Sequence, residues 1–140
     1  DCKIKNTFND LGVIHAEENY LDGDTITSAF SLKEITNLIH DNGGIVFLAH
    51  PYIYKYSDTE DFLERIYNQN DLDGIECFYT TFNKEQTEYL VEFARERKLL
   101  ISGGSDYHGT NKKKHELGIG NGSLKINKNI IDNWNITYYK

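Results

Sequence analysis

Cysteine is scarce in this chain, which carries only Cys2 and Cys77 among 140 residues. One stands near the N-terminus and the other lies in an apolar run, so no disulfide framework and no zinc-type ligand spacing is present. A reduced cytoplasm is the simplest setting for such a chain. No stretch approaches the roughly 18 apolar residues of a membrane span. No signal peptide is visible, and the first residue is Asp1 rather than Met, which leads us to expect a processed or expressed fragment. Positive charge is also short: the net charge of -7 argues against a strong electrostatic grip on nucleic-acid phosphates. No linker, low-complexity tract or repeat divides the sequence, and its length suits one domain spanning residues 1–140.

What is present is an ordinary soluble balance, with 39% hydrophobic and 26% charged residues, enough to bury a core without staples. Residues 1–30 show no clean period and read as an irregular N-terminal segment, with one short strand expected at Gly12–His15. From Ser31 the pattern sharpens. Ser31 with Glu34 forms a capping-box pair at a helix start. Leu32, Ile35, Leu38 and Ile39 fall on one helical face, expected to point inward. Gly43-Gly44 should end that helix. Ile45–Ala49 reads as a short, fully apolar strand of the kind found in parallel sheets covered on both faces.

The unit then repeats in kind. Asp58 or Thr59 opens a helix with Phe62, Leu63, Ile66 and Tyr67 inward. Ile75–Tyr79 is the next strand. Asn83 with Gln86 caps a third helix carrying Tyr89, Leu90, Phe93 and Ala94. Leu99–Ser102 is the third strand, broken by Gly103-Gly104. Helices alternating with strands over short connections predict an α/β architecture with parallel strands, as a barrel or an open sheet. Past a loose loop at Gly118, Gly120 and Gly122, a short helix is expected over Asn129–Trp134 and a last strand over Ile136–Tyr139.

In α/β folds function gathers at the C-terminal ends of the strands. The first strand ends on His50, followed by Pro51, the only proline. His50 is either a buried histidine satisfied by a backbone carbonyl or a metal ligand, and its place at a strand end raises the second reading. The third strand ends on Ser105-Asp106-Tyr107-His108. In an extended segment positions i and i+2 share a side, so the Asp106 carboxylate and the His108 imidazole should converge. The alternative is a glycine-rich turn in which both bond locally. Together with His50, the pair points to a borderline or hard divalent ion such as Mn²⁺, Zn²⁺ or Fe²⁺, with Mg²⁺ also compatible. A triad through Ser105 is disfavoured, because neighbours along one strand point apart. Cys77 reads as core rather than nucleophile. Tyr52, Tyr54 and Tyr56 either line a substrate pocket or pack a loop. Lys112, Lys113 and Lys114 either attract a phosphate or form a solvated run. His40 and His115 read as surface residues.

The stretches Gly43–Pro51, Leu72–Glu76 and Ile101–Gly109 resemble the PHP (polymerase and histidinol phosphatase) family. Within it they look like the metal-dependent phosphoesterases that include a nucleoside bisphosphate phosphatase and exoribonuclease. The resemblance runs from about Ser31 to Gly120. It implies part of a distorted (β/α)7 barrel, the C-terminal half, and two or three metal ions at the strand C-terminal rim. It implies His50, Asp106 and His108 as metal ligands, with Asp106 and His108 central to catalysis. Metal-activated water would hydrolyse phosphate esters of small molecules or nucleotides. Ser105, Tyr52 and Lys112 are the expected substrate contacts. Glu76 falls in a matching motif without an assigned role.

The chain departs from the family where its Asp-x-His-x-His motif should stand, for no His-x-His occurs in this sequence. The run from His15 to Gly23 echoes the continuation of that motif, with Glu17 at the second His, and is read as coincidence. A position after the second strand that is often His in this branch is here Phe82 or Asn83. Three accounts follow: a fragment lacking its N-terminal half, a site completed by homo-oligomerisation, or a non-catalytic ligand-binding or regulatory domain with an incomplete metal site. The isolated chain is expected to be inactive if the missing motif is essential.

Overall fold

The computed structural model describes residues 31–54, 56–111, 113–132 and 134. The expected features at Gly12–His15 and Ile136–Tyr139, the His15 run and Lys112 lie outside the described residues. The elements run α1 (Leu32–Asp41), β1 (Phe47–Leu48), a 3₁₀ turn (Pro51–Tyr54), α2 (Thr59–Gln69), β2 (Gly74–Tyr79), α3 (Lys84–Glu96) and β3 (Leu100–Gly104). Further 3₁₀ turns follow at Gly109–Asn111 and Lys128–Ile131. The last stands where a short helix was expected over Asn129–Trp134.

The helix starts follow from local chemistry. Ser31 caps α1: its hydroxyl accepts from Glu34 N at 3.3 Å, while Glu34 Oε2 accepts from Ser31 N at 2.7 Å and from its hydroxyl at 2.8 Å. Asp58 caps α2, and Asn83 with Gln86 closes a second reciprocal box on α3. Gly43 ends α1 in the left-handed region at φ 75°, which an L side chain rarely adopts. The Ser31 backbone N–H and hydroxyl also hold the Glu34 carboxyl below its ordinary range. A depressed carboxylate stabilises the fold above its ordinary pKa, and that contribution fades as pH falls through the lowered value. Ser31→Ala is expected to cost about 1 kcal/mol in urea unfolding. It should also flatten the acid-side loss of α1 helicity seen by circular dichroism.

The three strands are parallel in the order β1-β2-β3. Phe47 pairs with Gly74, Ile75 with Ile101 and Glu76 with Ser102. The register slips between Glu76 and Phe78, so that Tyr79 faces Gly104. A parallel sheet with helices between its strands therefore stands, while a closed seven-stranded barrel is not seen among the described residues. β1 is shorter than the apolar run Ile45–Ala49. At its start Val46 O accepts from the N–H groups of Asp73 and Gly74, the second being the bond that opens the ladder with β2.

Ile75 and Cys77 point to the helix-covered face. There they join Leu48, Phe62, Leu63, Leu90, Phe93 and Ala94 in one buried cluster. The inward faces expected for α2 and α3 are therefore borne out. That of α1 is not: Thr36 is its buried residue, while Leu38 is 51% exposed and Leu32 is also exposed. The hydrophobic period is present, but no described element packs closely over that face. The end of α1 is instead tied to the sheet through Asp73, whose Oδ2 accepts from His40 Nε2 at 2.8 Å and from Val46 N at 2.6 Å. His40 is thus half-buried, not a free surface residue as expected.

Candidate metal centre

The C-terminal ends of β1, β2 and β3 bring His50, Glu76, Tyr79 and Asp106 to one rim. His50 stands two residues past β1 with φ 30°, in the left-handed region disfavoured for a side chain of its size. Its N–H donates to Glu76 Oε2 at 2.8 Å. Its ring centroid lies 5.5 Å from that of Tyr54 and 5.3 Å from that of Tyr79. His50 Nδ1 is buried and has no hydrogen-bond partner among the described residues. The reading of His50 as a buried histidine satisfied by a carbonyl through this nitrogen is therefore not met. A buried polar atom left alone costs about 1–3 kcal/mol, so such atoms commonly mark an absent water or ion.

Asp106 is also left-handed, with φ 54°. The expected strand alternation therefore fails here, since β3 has ended at Gly104 and Asp106 is not extended. His108 instead folds back, its Nδ1 donating to the Asp106 main-chain carbonyl at 2.8 Å and lying 3.3 Å from Oδ1. The two side chains meet through a turn rather than along a strand. The Asp106 carboxylate is only 10% exposed, whereas the His108 ring is 51% exposed.

Sequence reasoning missed two neighbours of Asp106. His115, expected at the surface, is 18% exposed and places Nδ1 3.2 Å from Asp106 Oδ2. The Tyr79 hydroxyl also hydrogen-bonds this carboxylate, and burial together with that bond pushes the Tyr79 hydroxyl pKa well above its ordinary value. His115 could have drawn notice only through its nearness to the Asp106 loop. Tyr79 could have done so because it ends a strand at the rim.

The other expected residues fall less centrally. Ser105 Oγ accepts from Gly118 N at 3.1 Å, tying the Asp106 loop to the glycine-rich segment. Tyr52 is half-buried and meets Phe82 edge-on. Tyr56 stacks on Phe62 at 4.0 Å, so this tyrosine packs core rather than an open pocket. Cys77 is fully buried and its thiol is pushed up to about 12, which removes it as a nucleophile. A cleft of about 620 Å³ lies at the opposite end of the strands, beside His40, Asp73 and Arg97. Arg97 there is already paired with Glu64, and Asp73 with His40.

In kind, the donors at the rim suit a divalent ion: a shielded carboxylate, imidazoles and one orphaned buried nitrogen. In number they fall short, because no three or more His, Cys, Asp or Glu side chains among the described residues gather closely enough to hold one.

Comparison with known proteins agrees in part with this chemistry. No family model matches the chain. The phosphoribosyl 1,2-cyclic phosphate 1,2-diphosphodiesterase of Eggerthella lenta is 26% identical over 106 residues, covering 75% of this chain and 35% of its own length. A crystal structure from Bifidobacterium adolescentis, provisionally assigned as a metal-dependent phosphoesterase, matches with a TM-score of 0.58 at 27% identity. It covers 77% of this chain and 37% of its own. The chain thus spans little more than a third of the length of these relatives. Both relatives are named for phosphoester chemistry, and the solved one as metal-dependent. No helix among the described residues is long and apolar enough to cross a membrane.

Proposed function

We propose that this chain is the C-terminal portion of a cytoplasmic metal-dependent phosphoesterase that hydrolyses phosphate esters of small molecules or nucleotides. The observation that carries the reading is the buried, unpartnered His50 Nδ1, on the same rim as the shielded Asp106 carboxylate. His50, Asp106 and His108 act as donors to Mn²⁺, Zn²⁺ or Fe²⁺. A bound divalent ion supplies Lewis acidity toward a phosphoryl oxygen and toward water. Tyr79 and His115 fix the Asp106 carboxylate, so that it does not have to reorganise when it binds. Ser105, Tyr52 and Lys112 contact the substrate. The remaining donors come from an N-terminal half or from a second copy of the chain.

A second reading is a binding or regulatory domain with an incomplete metal site. It is favoured by one observation, the lack of a three-donor group among the described residues. Mn²⁺ titration followed by electron paramagnetic resonance, alongside a bis(p-nitrophenyl) phosphate assay, separates the two. The enzyme reading expects tight Mn²⁺ binding that His50→Ala weakens, with turnover removed by EDTA. Mn²⁺ binding without turnover fits the second reading. Neither binding nor turnover in excess Mn²⁺ sinks the enzyme reading for this chain.

A further inference from the structure

Glu76 stands on the middle strand, and successive residues of a strand face opposite sides of the sheet. Ile75 and Cys77 enter the helix-covered core, so the Glu76 carboxylate lies on the other face, next to the register slip between β2 and β3. One of its oxygens serves β1: Oε2 accepts from the His50 N–H at 2.8 Å, a bond strengthened by the carboxylate charge. The other is turned toward β3. A Cβ built on Gly104 would fall 2.5 Å from Oε1, with no backbone atom crowding it within 4 Å. Gly104 is not in the left-handed region, so its backbone does not demand glycine. What the missing side chain provides is room for the Glu76 carboxylate. This carboxylate therefore spans the sheet from the end of β1 to the end of β3.

His50 is where such a tie is needed. The ladder of β1 stops at Leu48, so the N–H of His50 has no strand partner, and its φ of 30° is a strained value for histidine. A residue holds such a backbone only when its surroundings over-determine it. We propose that Glu76 is a positioning residue for His50, holding its backbone in the left-handed turn that presents the imidazole, and that Gly104 is the space this carboxylate requires. The role of the imidazole as a metal donor rests on the proposed function. The grip of Glu76 on the His50 backbone does not.

The test uses Glu76→Gln, Glu76→Ala and Gly104→Ala in this chain, with two independent readouts. The first is the amide proton shift of His50 in metal-free protein. The bond to a carboxylate places it downfield, and Glu76→Ala and Gly104→Ala should move it upfield, with Glu76→Gln in between. The second is Mn²⁺ affinity, expected to fall about 10–100-fold in Glu76→Ala and Gly104→Ala and less in Glu76→Gln, the scale typical of groups that orient metal ligands. Gly104→Ala replaces no titratable residue and meets only the carboxylate end of the flexible Glu76 side chain, so it should fold even if Glu76→Ala does not. An unmoved His50 amide in Gly104→Ala and Glu76→Gln overturns the proposal. So does an Mn²⁺ loss in Glu76→Gln as large as in Glu76→Ala with the amide in place, which would make Glu76 a direct ligand. If the parent chain binds no Mn²⁺, the metal reading fails, and the amide shift alone decides whether Glu76 positions His50.

Discussion

Under the proposed function, Asp106→Ala is expected to lower the Mn²⁺-dependent phosphoester turnover of the completed site on the order of 10³-fold, the scale seen when a preorganised charge is removed from a reaction centre. The same change should weaken Mn²⁺ binding. Asp106 is a shielded carboxylate of the rim, with His108, His115 and Tyr79 all directed at it. Removing it deprives Tyr79 of its acceptor and leaves the two imidazoles only the main-chain carbonyl of residue 106. The backbone adds a second effect. At φ 54° an alanine costs about 1 kcal/mol or more, whereas asparagine tolerates the left-handed region. Asp106→Asn should therefore lose turnover to a similar degree while keeping stability close to that of the parent. Steady-state kinetics at saturating Mn²⁺, paired with urea unfolding of both variants, separates chemistry from strain. Turnover retained within threefold in Asp106→Asn would remove Asp106 from the metal centre.

The legibility of this molecule in its sequence follows the range of the interactions involved. The caps at Ser31, Asp58 and Asn83 are read correctly because donor and acceptor stand three residues apart. The order of helices and strands is legible for the same reason, through period and glycine punctuation. What depends on a distant partner is not. The apolar stripe on α1 is real, yet Leu38 stays exposed, since a stripe declares a preference and not a neighbour. The run Ile45–Ala49 has the composition of a full strand, but only Phe47 and Leu48 find ladder partners.

The site divides in the same way. His50 and Asp106 are legible because strand ends form the rim of any parallel sheet. The i, i+2 argument for Asp106 and His108 assumes an extended backbone that φ 54° denies; the two instead bond locally in a turn, the alternative the sequence left open. His115 lies nine residues along the chain from Asp106, and no local pattern announces that its ring returns to the carboxylate. The work of Glu76 is also hidden. Its role needs the end of β1, a glycine on β3 and a register slip to be known together.

Leu90→Ala is expected to cost about 2–5 kcal/mol, the usual range when a fully buried leucine leaves a cavity. Leu90 is wholly inaccessible and sits in the cluster with Phe62, Leu63, Ile75 and Phe93, where α3 packs on β2. Domains are stable by only about 5–15 kcal/mol, so this one truncation removes a large share of the total. Among the described residues β1 and β3 each carry one unpaired edge. The informative control is Leu38→Ala on α1. A leucine half open to solvent should change stability by no more than about 0.5 kcal/mol. Urea unfolding of the two variants by circular dichroism gives the comparison directly. If Leu38→Ala proves as costly as Leu90→Ala, the stripe on α1 is covered in solution, by a second copy of the chain or by another segment. If it proves nearly silent, α1 is held by its cap, by the Lys33–Asp71 ion pair, by buried Thr36 and by Asp73, and not by Leu38.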